Sequence, residues 1–129
     1  MLEKTVAFFI GAGGGIDEPT ASIRRLEPDL LFKTFDANPD EDRMEPVCFW
    51  STEGLRLFYN NRTRQSSGLL PANPDALDWV QENGQPWRTE AEIVEITSVQ
   101  TQTLDGYCLA NGLWPHFLSM DIQGAEYEV

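Results

Sequence analysis

The chain opens with an apolar run, Thr5-Val6-Ala7-Phe8-Phe9-Ile10, that gives way at once to Gly11-Ala12-Gly13-Gly14-Gly15. A short apolar run bounded by glycines reads as a strand buried on both faces. A second apolar run, Leu30 to Phe35, ends in the carboxylate Asp36. Strand, glycine turn, helix start and a second strand closing in an acid is the layout of a nucleoside-binding α/β unit. The glycines let main chain approach a ligand, and the carboxylate is placed to take ribose hydroxyls.

The residues between the two strands fit that unit. Asp17-Glu18-Pro19 reads as a helix start, with acid near the positive end of the dipole and proline where its missing N–H costs nothing. The helix is expected from about Pro19 to Glu27, with Ile23 and Leu26 toward the sheet, Arg24 and Arg25 toward water, and Pro28 as the stop. Such a crossover implies parallel strands and a right-handed connection. Asn38 to Glu45 is a short helix or a loop, and Val47 to Trp50 suggests a third parallel strand. Leu55 to Tyr59 and Ile93 to Thr101 read as strands that pair antiparallel. Asn73-Pro74 caps a short helix carrying Leu77 and Val80 inward and stopping at Asn83-Gly84. Thr103 caps a helix presenting Leu104, Tyr107 and Cys108, which Gly112 ends. Phe117 to Met120 is a further strand, closing in Asp121, and Gly124-Ala125-Glu126 begins a helical turn.

Composition limits what else the chain can do. Its 129 residues, 41% of them hydrophobic, suffice for one domain and one core. The net charge of -12 repels phosphate backbones and anionic lipid surfaces, so neither nucleic acid nor a membrane is expected as partner. No apolar run reaches the roughly 20 residues of a spanning helix. Cys48 and Cys108 lie far apart without a CxxC spacing, and His116 is the sole histidine, which excludes a structural zinc site. Both cysteines read as reduced, buried thiols. Glu3 and the glycine interruption argue against an export signal at the amino end, so a cytoplasmic location is expected. His116 falls at the amino end of its strand and reads as structural, and Ser66-Ser67 reads as a turn, since no histidine is available to activate a serine.

In order along the chain stand IGAGGG at Ile10 to Gly15, FDANP at Phe35 to Pro39, STEG at Ser51 to Gly54, SSGLL at Ser66 to Leu70, QTLD at Gln102 to Asp105 and LSMDIQGAEYEV at Leu118 to Val129. Taken together these segments resemble the FkbM-type S-adenosylmethionine-dependent methyltransferases, over nearly the whole length. The resemblance implies an α/β, Rossmann-like methyltransferase fold: a mostly parallel sheet with an added β-hairpin, here truncated after the fourth core strand, as an incomplete chain would be. It implies S-adenosylmethionine as cofactor, held by the turn Gly11, Ala12, Gly13 and Gly15, by Asp36 at the ribose, by Asn38 just after it, and by Ser51 near the adenine. Asp121 and Glu126 match the DxxGAE carboxylates near the reacting methyl group. The implied activity is methyl transfer to an oxygen of a small-molecule acceptor, a metabolite or sugar, with Asp121 orienting or deprotonating the hydroxyl.

Two other readings stand beside it. Phe9 occupies a position where such enzymes usually carry an acid before the glycine turn, and Ser51 replaces a common aspartate, which fits a degenerate, noncatalytic domain. A nicotinamide dinucleotide enzyme would need glycine at residue 16, where Ile16 stands. Oligomeric state is open from sequence.

Overall fold

A computed structural model describes residues 4–11, 22, 25–27, 29–37, 39, 44–84 and 87–129. Among the described residues six strands are present: β1 (Val6–Ile10), β2 (Leu31–Phe35), β3 (Cys48–Phe49), β4 (Gly54–Asn61), β5 (Ile93–Gln102) and β6 (Phe117–Met120). The helices whose bounds lie within the described residues are α1 (Pro74–Glu82), α2 (Trp87–Glu90) and α3 (Leu104–Asn111), and 3₁₀ turns occupy Arg64–Ser66 and Glu126–Glu128.

β1 is apolar on both sides because it is the centre of an all-parallel sheet of order β2-β1-β6. Its central residue Phe8 pairs with Lys33 on one side and Leu118 on the other. Strands laid first to one side of β1 and later to the other create a switch point, and ligands in open α/β sheets sit beyond the carboxyl ends of the strands there.

One face of the sheet carries the core. Phe8 and Phe35 are fully buried, and Tyr107 of α3 stands edge-on to both, with ring centroids 5.9 and 5.0 Å away. Phe49 adds a further edge contact to Tyr107 at 5.7 Å. Edge-to-face packing suits the ring quadrupoles and adds roughly 0.5–1.5 kcal/mol per pair beyond area burial. On the opposite face Phe9 stacks flat on Phe32 at 5.2 Å and tilts against Phe117 at 5.8 Å. α3 is fixed at both ends as its sequence implies. The Thr103 hydroxyl oxygen accepts from the Gly106 N–H at 3.0 Å, and Gly112 closes the helix in the left-handed region at φ 60°.

The second sheet has the order β3-β5-β4, with β4 and β5 antiparallel from Gly54/Thr101 to Asn61/Ile93 and a register shift at Asn60/Asn61. The expected third strand is therefore shorter than Val47 to Trp50, and among the described residues it pairs with β5 and lies outside the parallel sheet. Glu45 bridges Phe35 in parallel, but the next N–H that would face β2, that of Val47, turns back to the Glu45 carbonyl at 2.8 Å, and the chain leaves β2 before forming β3.

The expected helix from Pro19 to Glu27 lies largely outside the described residues, although Ser22, Arg25 and Leu26 are helical. Leu26 does not lie against the sheet. It is 77% exposed in the last turn before the chain bends through Glu27 and Leu30 into β2. Asn73 caps α1 by accepting from the Asp75 N–H at 3.0 Å, and Leu77 is half-buried. His116 is structural as expected: its Nδ1 accepts from the Val6 N–H at 3.1 Å while its main-chain N–H donates to the Val6 carbonyl at 2.8 Å. Both cysteines are free thiols, but only Cys108 is buried, and Cys48 is half-buried. Among the described residues no helix is long and apolar enough to cross a membrane.

If the aromatic cluster carries the core, Phe35→Ala should cost about 3–5 kcal/mol of unfolding free energy. Loss of the α3 cap in Thr103→Ala should cost about 1 kcal/mol. Urea denaturation of the two variants measures both, and equal losses would contradict this ranking.

Candidate functional site

Gly11 follows directly from β1 and adopts φ 81°, a conformation other residues rarely take. Its N–H donates to the Phe35 carbonyl at 2.9 Å, tying the end of β1 to the end of β2. A Cβ on Gly11 would lie 2.0 Å from the Asp121 carbonyl oxygen and 2.9 Å from Ile122 Cγ2. The sequence suggests that a side chain here would collide with a ligand. The collision the structure displays is with the chain's own backbone as it leaves β6.

That close pass brings the ends of three strands onto one cleft of about 270 Å³. Gly11, Asp36 and Asp121 line it from β1, β2 and β6, with Cys48 and Phe49 from β3. The opposing wall is the segment after β4, contributing Arg64, Gln65, Ser67, Gly68 and Leu69. From sequence the stretch Asn60 to Gly68 reads as a polar loop and SSGLL as one of the family-like segments, but neither is assigned to a site.

Asn61 builds the wall. Its Nδ2 donates to the Ser66 carbonyl at 2.7 Å, and its N–H donates to the Ser67 hydroxyl oxygen at 2.9 Å. Tyr59 and Gly68 then exchange main-chain hydrogen bonds of 2.8 and 3.1 Å, closing the turn. A Cβ added at Gly68 would come into van der Waals contact with Gln123 and with the Ile122 carbonyl, so this turn faces the loop after β6.

The loop from Asp121 to Glu126 is held by its last residue. Glu126 Oε1 accepts from the Ile122 N–H at 2.8 Å. The hydrogen bonds from Ile122 and from its own N–H hold its carboxyl below the ordinary range, against partial burial and with help from the Gly124 N–H. Within this loop Gln123 sits at φ 59° and Gly124 at φ 90°. A non-glycine residue in the left-handed region costs on the order of 1–2 kcal/mol, and such residues gather where surrounding contacts fix them. Asp121 Oδ1 accepts from Gln123 Nε2 at 3.3 Å, so the unusual backbone also orients the carboxylate.

Of the residues singled out from sequence, Gly11, Asp36 and Asp121 share the cleft. Glu126 does not line it and is bound to its own loop. Ser51 does not line it either: it is exposed and donates to Glu128 Oε2 at 3.4 Å. Ala12, Gly13, Gly15 and Asn38 lie outside the described residues.

Two further groups near Asp36 were not foreseen. The Cys48 thiol is pushed up to about 11, by burial first and by the Asp36 carboxylate second, with Arg56 opposing. It is therefore a neutral wall of the cleft at physiological pH. On the core side, Glu45 receives Lys33 Nζ on Oε1 at 2.6 Å and the Tyr107 hydroxyl on Oε2 at 2.6 Å. Burial raises the Glu45 carboxyl, but these two hydrogen bonds and the Lys33 charge outweigh it, and the net shift is downward. Burial and the same carboxylate push the Tyr107 phenol well above its usual value.

Against known proteins, residues 5–129 match the family model described as the methyltransferase FkbM domain. The chain belongs to the FkbM methyltransferase family, with its methyltransferase-like α/β fold. No curated protein and no solved structure gives a significant match.

Two outcomes follow from this geometry. Gly11→Ala combines left-handed strain with a backbone collision and should lower stability by roughly 3 kcal/mol or more, read as a fall in the urea midpoint. For Glu45, a folded pKa below the unfolded value means stabilisation present above the unfolded pKa and lost as pH falls through the folded one. Glu45→Gln should therefore be less stable than the parent protein at pH 7, with the gap closing below about pH 4. A gap that persists unchanged at pH 3 would contradict the role of the ionised carboxylate.

Proposed function

We propose that the cleft binds the adenosyl part of S-adenosylmethionine and that the protein moves a methyl group from it to an oxygen of a small metabolite or sugar. The observation that carries this reading is the meeting of Gly11, Asp36 and Asp121, from three separate strands, on one cleft at the carboxyl ends of a parallel sheet. The order β2-β1-β6 supports a Rossmann-like arrangement.

The chemistry of the lining fits such a molecule. Asp36 ends β2 where a carboxylate can accept from both ribose hydroxyls. Val47, Phe58, Leu69 and Ile122 supply apolar surface for a purine. At about 270 Å³ the cleft falls just below the roughly 300–1,000 Å³ of pockets for drug-sized ligands, a size that fits the adenosyl part. When bound, S-adenosylmethionine supplies a methyl carbon made electrophilic by its positively charged sulfur. Asp121, whose carboxylate Gln123 orients, accepts a hydrogen bond from the acceptor hydroxyl and takes its proton as the oxygen becomes nucleophilic. Holding the hydroxyl in line is the larger part of the work, since oriented reactants gain far more than proton transfer alone. Glu126 serves this step by holding the loop that carries Asp121.

Calorimetric titration with S-adenosylhomocysteine tests the binding half of the proposal. The parent protein should give a heat of binding, and Asp36→Ala should weaken affinity by about 10–100-fold, the worth of hydrogen bonds to a charged group. No heat with the parent protein would favour a domain that has lost its cofactor, as Phe9 and Ser51 suggest. With an acceptor in hand, Asp121→Asn should lower kcat by about 10²–10⁴-fold while leaving S-adenosylhomocysteine affinity near the parent value.

A further inference from the structure

Asp36 has a main-chain neighbour that is tied to the core far more firmly than an ordinary loop residue. Its N–H donates to the Glu45 carbonyl at 3.1 Å, and the Glu45 N–H donates to the Thr34 carbonyl at 2.8 Å. Glu45 is thus a one-residue extension of the parallel sheet beside Phe35, the residue before Asp36. Its carbonyl also accepts from the Val47 N–H at 2.8 Å, at the start of the segment Val47, Cys48 and Phe49 that lines the same cleft. One peptide unit therefore fixes two walls.

The side chain of Glu45 anchors that unit from below. One oxygen is held by Lys33 on β2 and the other by the Tyr107 hydroxyl on α3. Tyr107 is itself locked by edge contacts with Phe8, Phe35 and Phe49. The tether joins the buried aromatic cluster to a residue that is otherwise paired only at the edge of the sheet. The Lys33 and Glu45 side chains are each about one-third exposed, at 33% and 32%, where an ion pair contributes little to folding.

We infer that Glu45 is a positioning residue for the cofactor site, its carboxylate clamped by Lys33 and Tyr107 so that its main chain holds Asp36 and the Val47–Phe49 wall in register. This rests on the assignment of Asp36 to the ribose made above. Groups that orient a ligand-binding side chain commonly matter to affinity nearly as much as the contact itself. Tyr107 is the second member of the clamp and Lys33 the third.

The test compares Glu45→Ala, Glu45→Gln and Tyr107→Phe with Asn73→Ala, a cap mutation on α1 remote from the cleft. Amide hydrogen exchange by NMR reads the clamp without any ligand. In Glu45→Ala the Asp36 N–H should exchange about tenfold faster than in Asn73→Ala once each is corrected for global stability. Glu45→Gln, which keeps one carbonyl oxygen for Lys33 or Tyr107, should fall between Glu45→Ala and the parent, and Tyr107→Phe likewise. Calorimetry with S-adenosylhomocysteine on the folded proteins should then show affinity falling by about tenfold in Glu45→Ala and unchanged in Asn73→Ala. Exchange at Asp36 that rises no more than in Asn73→Ala overturns the clamp. Faster exchange with unaltered affinity overturns its role in binding. Absence of heat with the parent protein counts against the cofactor assignment alone, and the exchange comparison still decides whether Glu45 positions Asp36.

Discussion

The carbonyl of Asp121 occupies the space that a side chain on Gly11 would need. The rest of the site follows from that close pass. Because the exit of β6 presses on the exit of β1, the chain after β1 must turn through a left-handed residue, and the carboxyl ends of both strands open onto one concave surface. The Gly11 N–H, bonded to the Phe35 carbonyl, brings the end of β2 and hence Asp36 to the same place. A backbone contact with no side chain in it thus assembles three strand ends into a candidate binding site.

Around that point the protein is built in two tiers. Below the sheet ends, an aromatic cluster of Phe8, Phe35, Phe49 and Tyr107 supplies rigidity through burial and edge packing. Above them, the cleft is walled by two polar turns that carry their own internal ties, Asn61 for the segment Arg64 to Gly68 and Glu126 for the segment Asp121 to Gly124. Each turn is fixed by a side chain satisfying main-chain groups that would otherwise be unpaired near the cleft. Glu45 links the tiers, with its side chain in the lower and its main chain in the upper.

Much of this was legible in the sequence because the signals were local. The run Val6 to Ile10 had to be an interior strand, Thr103 and Gly112 bracketed a helix, and His116 stood at the wrong end of its strand for chemistry; all three follow from short-range rules. The site was legible in part: Gly11, Asp36 and Asp121 could be named because each ends a strand. What stayed hidden depended on contacts between distant residues. Nothing local says that Ser51 turns toward Glu128, that Glu126 folds back on Ile122, or that Cys48 sits beside Asp36. Val47 to Trp50 likewise read as a third parallel strand of the main sheet, because nothing local shows that β3 pairs with β5 instead.

The central claim is that these strand ends enclose an adenosyl ligand, and a crystal structure of the protein grown with S-adenosylhomocysteine tests it most directly. The account predicts ribose density on the Asp36 carboxylate, with the purine between Val47, Phe58 and Leu69 and the sulfur toward Gly11 and Asp121. Ligand density elsewhere on the protein, with this cleft filled only by water, would contradict it.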